Sequence, residues 1–481
     1  MSYTNTASKL GIDLSALQGV TQDSRVVDDG YLFAALQGEE CDGHDYIPDA
    51  IERGAGVILG HSNCSSDFDG AFFVGSDNPR KDFSHITAEY FVDQPKYIVA
   101  VTGTNGKSSV VHFANQLWNA LGERSTYIGT LNTALTTPDS VSLFKALAKM
   151  TQDGITHVAI EASSHGLAQY RMDGAQISVA AFTTFSQDHL DYHNDMQSYF
   201  EAKTRLFEEL LPISGTAVLN ADIAEYQTLQ AICKKRGLKI LSYGLNADDI
   251  LLRSCRVDGI KQKLSLDIHG RLFDITIPLV GEFQVMNVLC ALACVIAEDQ
   301  SDEARINVLI DTIARIEPVP GRLQYVSDQQ GKYHAYVDYA HTPDALKTVL
   351  NAIRPHVSGR LITVFGCGGD RDQTKRALMG GIAAQLSDHV IVTDDNPRTE
   401  NPADIRDHIL SGILTGSVAF DIVEERCNAI HHVVQMMEEG DVVIVAGKGH
   451  EQGQVIGSET LPFDDAKELQ NAFLTKVDTS N

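Results

Sequence analysis

The run Val99-Ala100-Val101-Thr102-Gly103-Thr104-Asn105-Gly106-Lys107-Ser108-Ser109 puts two glycines and a Lys-Ser pair directly after an apolar segment. The apolar segment reads as a buried strand, and apolar residues at 110, 111, 114, 117, 118 and 121 repeat at helical spacing until Gly122. A strand, a glycine loop and the first turn of a helix together offer backbone N–H groups to phosphate oxygens. Lys107 would neutralise charge there and Ser108 would ligate Mg²⁺. The position six before the lysine is Val101, so the loop is a shorter Gly-x-x-Gly-Lys-Ser form of the common phosphate loop. A glycine turn before a lysine also serves as a plain strand-to-helix connection; the flanking strand and helix favour phosphate binding.

Further groups lie at strand ends. Thr156–Ile160 runs into Glu161-Ala162-Ser163-Ser164-His165-Gly166, and a carboxylate at that tip suits Mg²⁺ or, more simply, solvent. Asp188-His189-Leu190-Asp191-Tyr192-His193 is dense in ligand-type residues, but its two histidines lack the neighbouring glutamate of a helical zinc pair. His189 is better placed beside Mg²⁺ or phosphate. Lys203 lies on the apolar stripe of a helix spanning about 196–211, three after Phe200 and four before Phe207. Either its stem packs while the amine reaches water, or it is a desolvated amine of lowered pKa. Arg371 and Arg398 stand in loops after two strands, where a guanidinium fork pairs with carboxylate or phosphate, or joins a surface salt bridge.

The elements that must position these groups are legible along the chain. Its 481 residues exceed one ordinary core and suggest about three domains. Over 1–95, Gly30–Leu36 and Val57–Leu59 read as strands and Ile47–Arg53 as a helix, before a linker at Asp93-Gln94-Pro95. Strands follow at 157–161 and 177–182, with another reaching Asn220. Hairpins over 250–280 turn at Asp258-Gly259 and His269-Gly270, and a helix runs from Phe283 to Ala297. After a second boundary at Glu317–Gly321, strands at 333–338, 360–365, 389–393 and 441–446 alternate with helices, each strand entering a polar loop. The net charge of −26 disfavours a nucleic-acid partner, and no run of about 18 apolar residues suggests a membrane span. Eight scattered cysteines without a Cys-x-x-Cys pair, and a start without a secretory pattern, lead us to expect a cytoplasmic protein without a disulfide framework or structural zinc.

Taken together, Thr102–Ser109, Glu161–Gly166, Asp188–His193, Asp338–Ala345, Gly366–Arg376, Asp394–Glu400 and Gly447–Glu451 resemble the Mur ligases, the ATP-dependent amide-bond ligases of peptidoglycan synthesis. The resemblance covers nearly the whole chain. It implies an α/β protein of three domains: 1–95 for a UDP-sugar, 96–321 a P-loop ATPase-like centre, and 322–481 a Rossmann-like amino-acid domain. It implies small-molecule substrates (ATP, UDP-MurNAc-L-Ala-D-Glu and meso-diaminopimelate), two Mg²⁺ ions, and a monomer. By resemblance, Gly103, Thr104, Asn105, Gly106, Lys107, Ser108, Ser109, Asn287, Arg322 and Asp338 meet ATP. Ser108, Glu161, His189 and Lys203 hold metal, Lys203 as a CO₂-derived carbamate, with Lys107, Lys203 and His189 acting in catalysis. Ser24, Glu39, Glu40, Cys41, Thr136, Thr137, Ser163, Gln169 and Arg171 correspond to the UDP-MurNAc-dipeptide site.

The same resemblance assigns Arg371, Asp395, Asn396, Pro397, Arg398, Gly447 and Glu451 to diaminopimelate. Its distal carboxylate matches the two arginines and its distal ammonium Glu451, whereas lysine lacks that carboxylate. Thr184 and Gln284 stand where the family usually has asparagine, Ser109 replaces a common threonine, and the segment around Leu135-Thr136-Thr137 is short. A lysine-adding homologue or a folylpolyglutamate synthase is the alternative within the class. A nucleotide-dependent switch is the alternative outside it, and would leave the C-terminal loops unexplained.

Overall fold

The computed structural model describes residues 5–38, 41–64, 68–188, 192–413 and 418–476. The chain divides into two compact units, 1–251 with 287–309, and 252–286 with 310–481. No helix among the described residues is long and apolar enough to cross a membrane.

In the first unit β1 (Gly19–Thr21), β2 (Tyr31–Ala34), β3 (Ala55–His61) and β4 (Phe72–Ser76) form a small parallel sheet in sequential order. Leu32, Ala34, Leu59 and Val74 pack on Phe83 and Ile86 of the helix Pro79–Phe91. Beyond it come β5 (Tyr97–Thr102), β6 (Ser125–Ile128), β7 (His157–Glu161), β8 (Ile177–Phe182), β9 (Thr216–Asn220), β10 (Lys239–Gly244) and the first two residues of β11 (Ile250–Asp258), whose remainder falls in the second unit. Their spatial order is β11-β10-β9-β8-β5-β7-β6, with the pairs β10–β11, β9–β10, β8–β9, β5–β8, β5–β7 and β6–β7 all parallel. The nearly continuous apolar run of β5 follows from burial on both faces. Because the chain leaves β5 toward β6 on one side and later passes to β8 on the other, the loop after β5 lies where the strand order reverses.

In the second unit β12 (Lys261–Ile268) and β13 (Arg271–Ile277) make an antiparallel hairpin. Its His269-Gly270 turn has φ of +50° and +84°, which explains the glycine. A second sheet joins β14 (Gln324–Ser327), β15 (His334–Asp338), β16 (Leu361–Phe365), β17 (His389–Val392), β18 (Ala419–Ile422) and β19 (Val442–Ala446) in the order β14-β15-β19-β16-β17-β18. Only β14, at the edge, runs antiparallel to its neighbour. One face packs Leu346, Leu350, Met379 and Ile409, the other Ile430, Val433, Leu469 and Phe473. A final hairpin pairs β20 (Gly453–Ile456) with β21 (Glu459–Pro462).

Helix starts follow their caps. Thr342 accepts from Ala345 N at 3.3 Å ahead of Pro343–Ile353, and Asp195 and Ser198 cap each other's backbone ahead of Met196–Arg205. The helix expected over 196–211 therefore begins on time, but after Arg205 it widens into a π-helical turn, Leu206–Leu210. The short or partly exposed strands β1, β4, β6, β10, β14 and β18 add to those read from the sequence.

Candidate active site

The loop after β5 turns through Gly103 at φ +139° and Gly106 at φ +88°, and the helix Lys107–Ala120 starts at once. A Cβ at 103 would stand 2.0 Å from Thr183 Oγ1, and one at 106 would stand 2.4 Å from Asn287 Oδ1. Close packing and backbone angle together demand glycine at both positions. Asn287 therefore sits against the loop, on the helix Glu282–Ile296. Lys107 Nζ donates to the carbonyls of Gly103 (2.9 Å) and Thr104 (2.7 Å), folding its charge over the loop. Thr183 Oγ1 donates to Asn105 O at 2.5 Å, and Asn105 N donates to Thr184 Oγ1 at 3.1 Å, so Thr184 supports the loop where the family's asparagine is absent. Gly103→Ala is expected to weaken ATP binding at least about tenfold, because relieving that overlap must move the loop by more than a soft rotamer change. Calorimetric titration checks this, and unchanged affinity would remove the loop from the nucleotide site.

Glu161, at the end of β7, is 1% exposed and accepts from Ser108 Oγ at 3.0 Å and from Thr130 N at 2.9 Å. Two hard oxygens at that separation match an edge of an octahedron with Mg–O bonds of about 2.1 Å, so this pair fits Mg²⁺. Lys203 does not reach water. It is 1% exposed, and its Nζ donates to Gly103 O at 2.9 Å and lies 4.4 Å from the centre of the Tyr199 ring. Burial first, and the Lys107 charge second, hold the amine well below the usual lysine range against the pull of Asp188. The packed, water-reaching alternative is thereby corrected: the surroundings of Nζ are the glycine loop after β5 and an aromatic ring. The His193 ring packs against the same Tyr199 at a 45° tilt, with ring centres 5.1 Å apart. His189 and Asp191, like Glu39 and Glu40, lie outside the described residues.

A cavity of about 160 Å³ opens among Gln22, Leu36, Arg80, Leu135, Gln169 and Arg171. Arg171 donates to Gln169 Oε1 at 2.7 Å and to Thr137 O at 2.7 Å. Thr137 Oγ1 in turn donates to Glu161 O at 2.6 Å and bonds Ser163 Oγ at 2.9 Å. Thr136 meets Thr130 Oγ1 at 3.0 Å, so all five predicted residues are linked to Glu161, Thr136 to its carboxylate through Thr130 and the other four to its backbone carbonyl through Thr137. Ser24 is buried in a short turn capped by Asp23, and Cys41 is exposed beside Gly38.

In the second unit the loops after β15, β16, β17 and β19 lie at the same end of the sheet. Asp338 is buried and accepts from Leu323 N (2.7 Å) and Ala340 N (2.8 Å); burial raises its pKa against the Arg322 charge and those two N–H groups. Arg322 lies over the Tyr339 ring, 4.5 Å from its centre, and its carbonyl accepts from Gln284 Nε2 at 2.9 Å. Asn396 Nδ2 donates to Glu451 Oε2 at 2.9 Å, joining two predicted residues. Asp395 does not offer its carboxylate to solvent. It is buried against Gly447, where a Cβ would meet Oδ2 at 2.6 Å, and 3.9 Å from Arg426 Nη1. Burial raises its pKa, opposed by Arg426 and Lys448. Arg398 adopts φ +51° and donates through Nη1 to Gly369 O at 2.7 Å, with its loop held by the buried Pro397. Arg371 is exposed on the neighbouring loop.

Sequence reasoning passed over three side chains. Lys448 is fully buried and donates to Asn396 Oδ1 at 2.9 Å and Glu451 Oε2 at 3.2 Å. Arg376, also fully buried, grips Glu400 through both terminal nitrogens, at 2.9 and 2.8 Å. Arg80 lines the cavity beside Arg171. A lysine flanked by two glycines in a strand-end loop was a usable signal for the first; nothing local marks the other two.

Comparison with known proteins agrees with this geometry along the chain. Models of the Mur ligase family catalytic domain, the Mur ligase middle domain and the Mur ligase glutamate ligase domain match residues 16–89, 101–295 and 321–449. The UDP-N-acetylmuramoyl-L-alanyl-D-glutamate--2,6-diaminopimelate ligase of Caulobacter vibrioides is 43% identical over 95% of both chains. The protein of that name from Rhizobium meliloti is 42% identical over 98% of both. A solved structure of a ligase so named superposes with a TM-score of 0.70 at 33% identity, covering 95% of this chain and 94% of its own. The chain belongs to the Mur ligase family.

Proposed function

We propose that this protein joins meso-2,6-diaminopimelate to the D-glutamate carboxylate of UDP-N-acetylmuramoyl-L-alanyl-D-glutamate, with ATP converted to ADP and phosphate. The observation that carries this reading is the cluster of buried Lys448 and Asn396 with half-buried Glu451 near Arg398, on strand-end loops suited to an amino acid with charges at both ends. Relatives of the same name at about 42% identity across the chain support it.

The first step attacks one anion with another, so the protein must supply positive charge. Backbone N–H groups of the loop 103–106, the N-terminus of the helix Lys107–Ala120 and Lys107 would receive the triphosphate. Lys107 would exchange its two carbonyl contacts for phosphate oxygens. Ser108 and Glu161 would hold Mg²⁺, which supplies charge neutralisation on the phosphates when bound. The glutamyl carboxylate oxygen bonds to the γ-phosphorus as the bond to ADP breaks. The amine of the incoming amino acid then bonds to the acyl carbon, loses a proton, and the carbon–oxygen bond to phosphate breaks. Arg171 and Gln169 would orient the muramoyl-dipeptide, with Thr136, Thr137, Ser163, Ser24 and the segment 39–41 completing its site. Asn287, Arg322 and Asp338 would meet the nucleotide, while Lys203 as a carbamate, with His189, would hold a second Mg²⁺.

The reading assigns 1–95 to the UDP-sugar, 96–321 to ATP and 322–481 to the amino acid. It includes a monomer, and a place in the cytoplasm that fits eight cysteines scattered without a Cys-x-x-Cys pair. Phosphate release with both other substrates present tests it. We expect turnover that depends on meso-diaminopimelate; ATP hydrolysis indifferent to amino acid and sugar nucleotide would overturn it.

A further inference from the structure

Away from these loops, the helices Arg426–Met436 and Asp465–Leu474 pack side by side through Ala429, Ile430, Val433, Ala466 and Leu469. Arg426 fixes their relative position. Its Nε and Nη2 donate to the two carboxylate oxygens of Asp465 at 2.7 and 2.8 Å, with both side chains fully buried. One residue beyond Arg426, Cys427 and His431 share a helix face four residues apart, and Glu468 faces them from the other helix. Cys427 Sγ lies 3.3 Å from Glu468 Oε2, and His431 Nε2 lies 3.8 Å from the same oxygen. All three donor atoms fall within 4.8 Å of one another.

We infer that Cys427, His431 and Glu468 form a binding site for a zinc-class divalent cation, held by thiolate, imidazole and carboxylate. A tetrahedron with bonds of about 2.0–2.3 Å has edges of about 3.3–3.8 Å, the two separations found here. On binding, the sulfur–metal bond replaces the sulfur–hydrogen bond and the proton passes to solvent. His431 and Glu468 keep 36% and 25% of their side chains exposed, which leaves an entry path and a fourth position for water. The rigid Arg426–Asp465 pair means that little must move to form the site. The sequence hides it, because its ligands come from two helices, with His431 and Glu468 37 residues apart, and carry no Cys-x-x-Cys signature.

Titrating the reduced full-length protein with Co²⁺ tests this, since only a thiolate ligand yields a near-ultraviolet sulfur-to-cobalt charge-transfer band. The oxygen- and nitrogen-rich nucleotide site cannot produce it. We expect one equivalent of Co²⁺ to give this band with four-coordinate visible bands, and Zn²⁺ to displace both. Cys427→Ala should abolish the band, and His431→Ala and Glu468→Gln should each weaken Zn²⁺ binding about tenfold or more. Zn²⁺ should also raise the melting temperature of the parent and not of folded Cys427→Ala. Absence of the band in the parent, or its persistence at full strength in Cys427→Ala, would overturn the assignment.

Discussion

Replacing Lys203 by alanine is expected to lower the ligation rate by about 10³-fold or more, the scale seen when a group serving the transition state is removed. The amine is held away from water against the carbonyl of Gly103 and the ring of Tyr199, with its pKa well below the usual range. A cation there would repel Lys107 and gain nothing from solvent. A neutral amine instead can add CO₂, forming an N–C bond, releasing one proton to solvent and leaving an anionic oxygen ligand. Activity of the parent should therefore rise with dissolved CO₂ and fall as acid protonates the amine through its lowered pKa. Formate or acetate should partly restore Lys203→Ala by supplying carboxylate oxygens in the vacated space. Full activity of Lys203→Ala would sink the carbamate proposal.

The same burial predicts how stability moves. A lysine of depressed pKa binds its proton less readily folded than unfolded. In CO₂-free buffer, stability is thus lost as pH falls from the ordinary lysine value toward the folded one. Lys203→Met, similar in length and uncharged, should be inactive yet at least as stable at neutral pH, by up to ~1–2 kcal/mol in urea melts.

Wild-type protein should use meso-diaminopimelate at least about 10³-fold better than L-lysine in kcat/KM, and Arg398→Ala should lose about 10²–10³-fold of the diaminopimelate value. The left-handed backbone of Arg398 is secured at both ends, its N–H donating to Val455 O at 3.1 Å and its carbonyl accepting from Gly457 N at 2.7 Å. One guanidinium nitrogen is committed to Gly369 O, so the fork is aimed before any substrate arrives. Lysine would leave that half-buried cation without its carboxylate. The Lys448–Asn396–Glu451 cluster presents a carboxylate for an ammonium. In the Arg398→Ala variant, KM for ATP and for the sugar nucleotide should stay within about twofold, separating lost recognition from misfolding. Equal use of both amino acids by the wild type would defeat this account of Arg398.

Local pattern determined much of this protein. The phosphate loop, β7, β8, β15, β16 and the hairpin turn at His269-Gly270 stand where strand runs, helical spacing and glycine placement put them, because each depends on residues within a few positions. The odd position of Lys203 on an apolar stripe was visible too. Its consequence was not, since only packing of that helix against the Gly103 carbonyl, 100 residues earlier, takes the amine out of water. Strands such as β1, β6 and β18 are too short or too exposed to show a clear run, and exist because a neighbouring strand supplies their hydrogen bonds. The tertiary structure alone decided which strand ends became neighbours. With that it decided that Asp395 faces Arg426 rather than solvent, that Arg376 grips Glu400, and that Lys448 is buried between Asn396 and Glu451. Burial of charge is a sum over distant partners, and no window along the chain contains that sum.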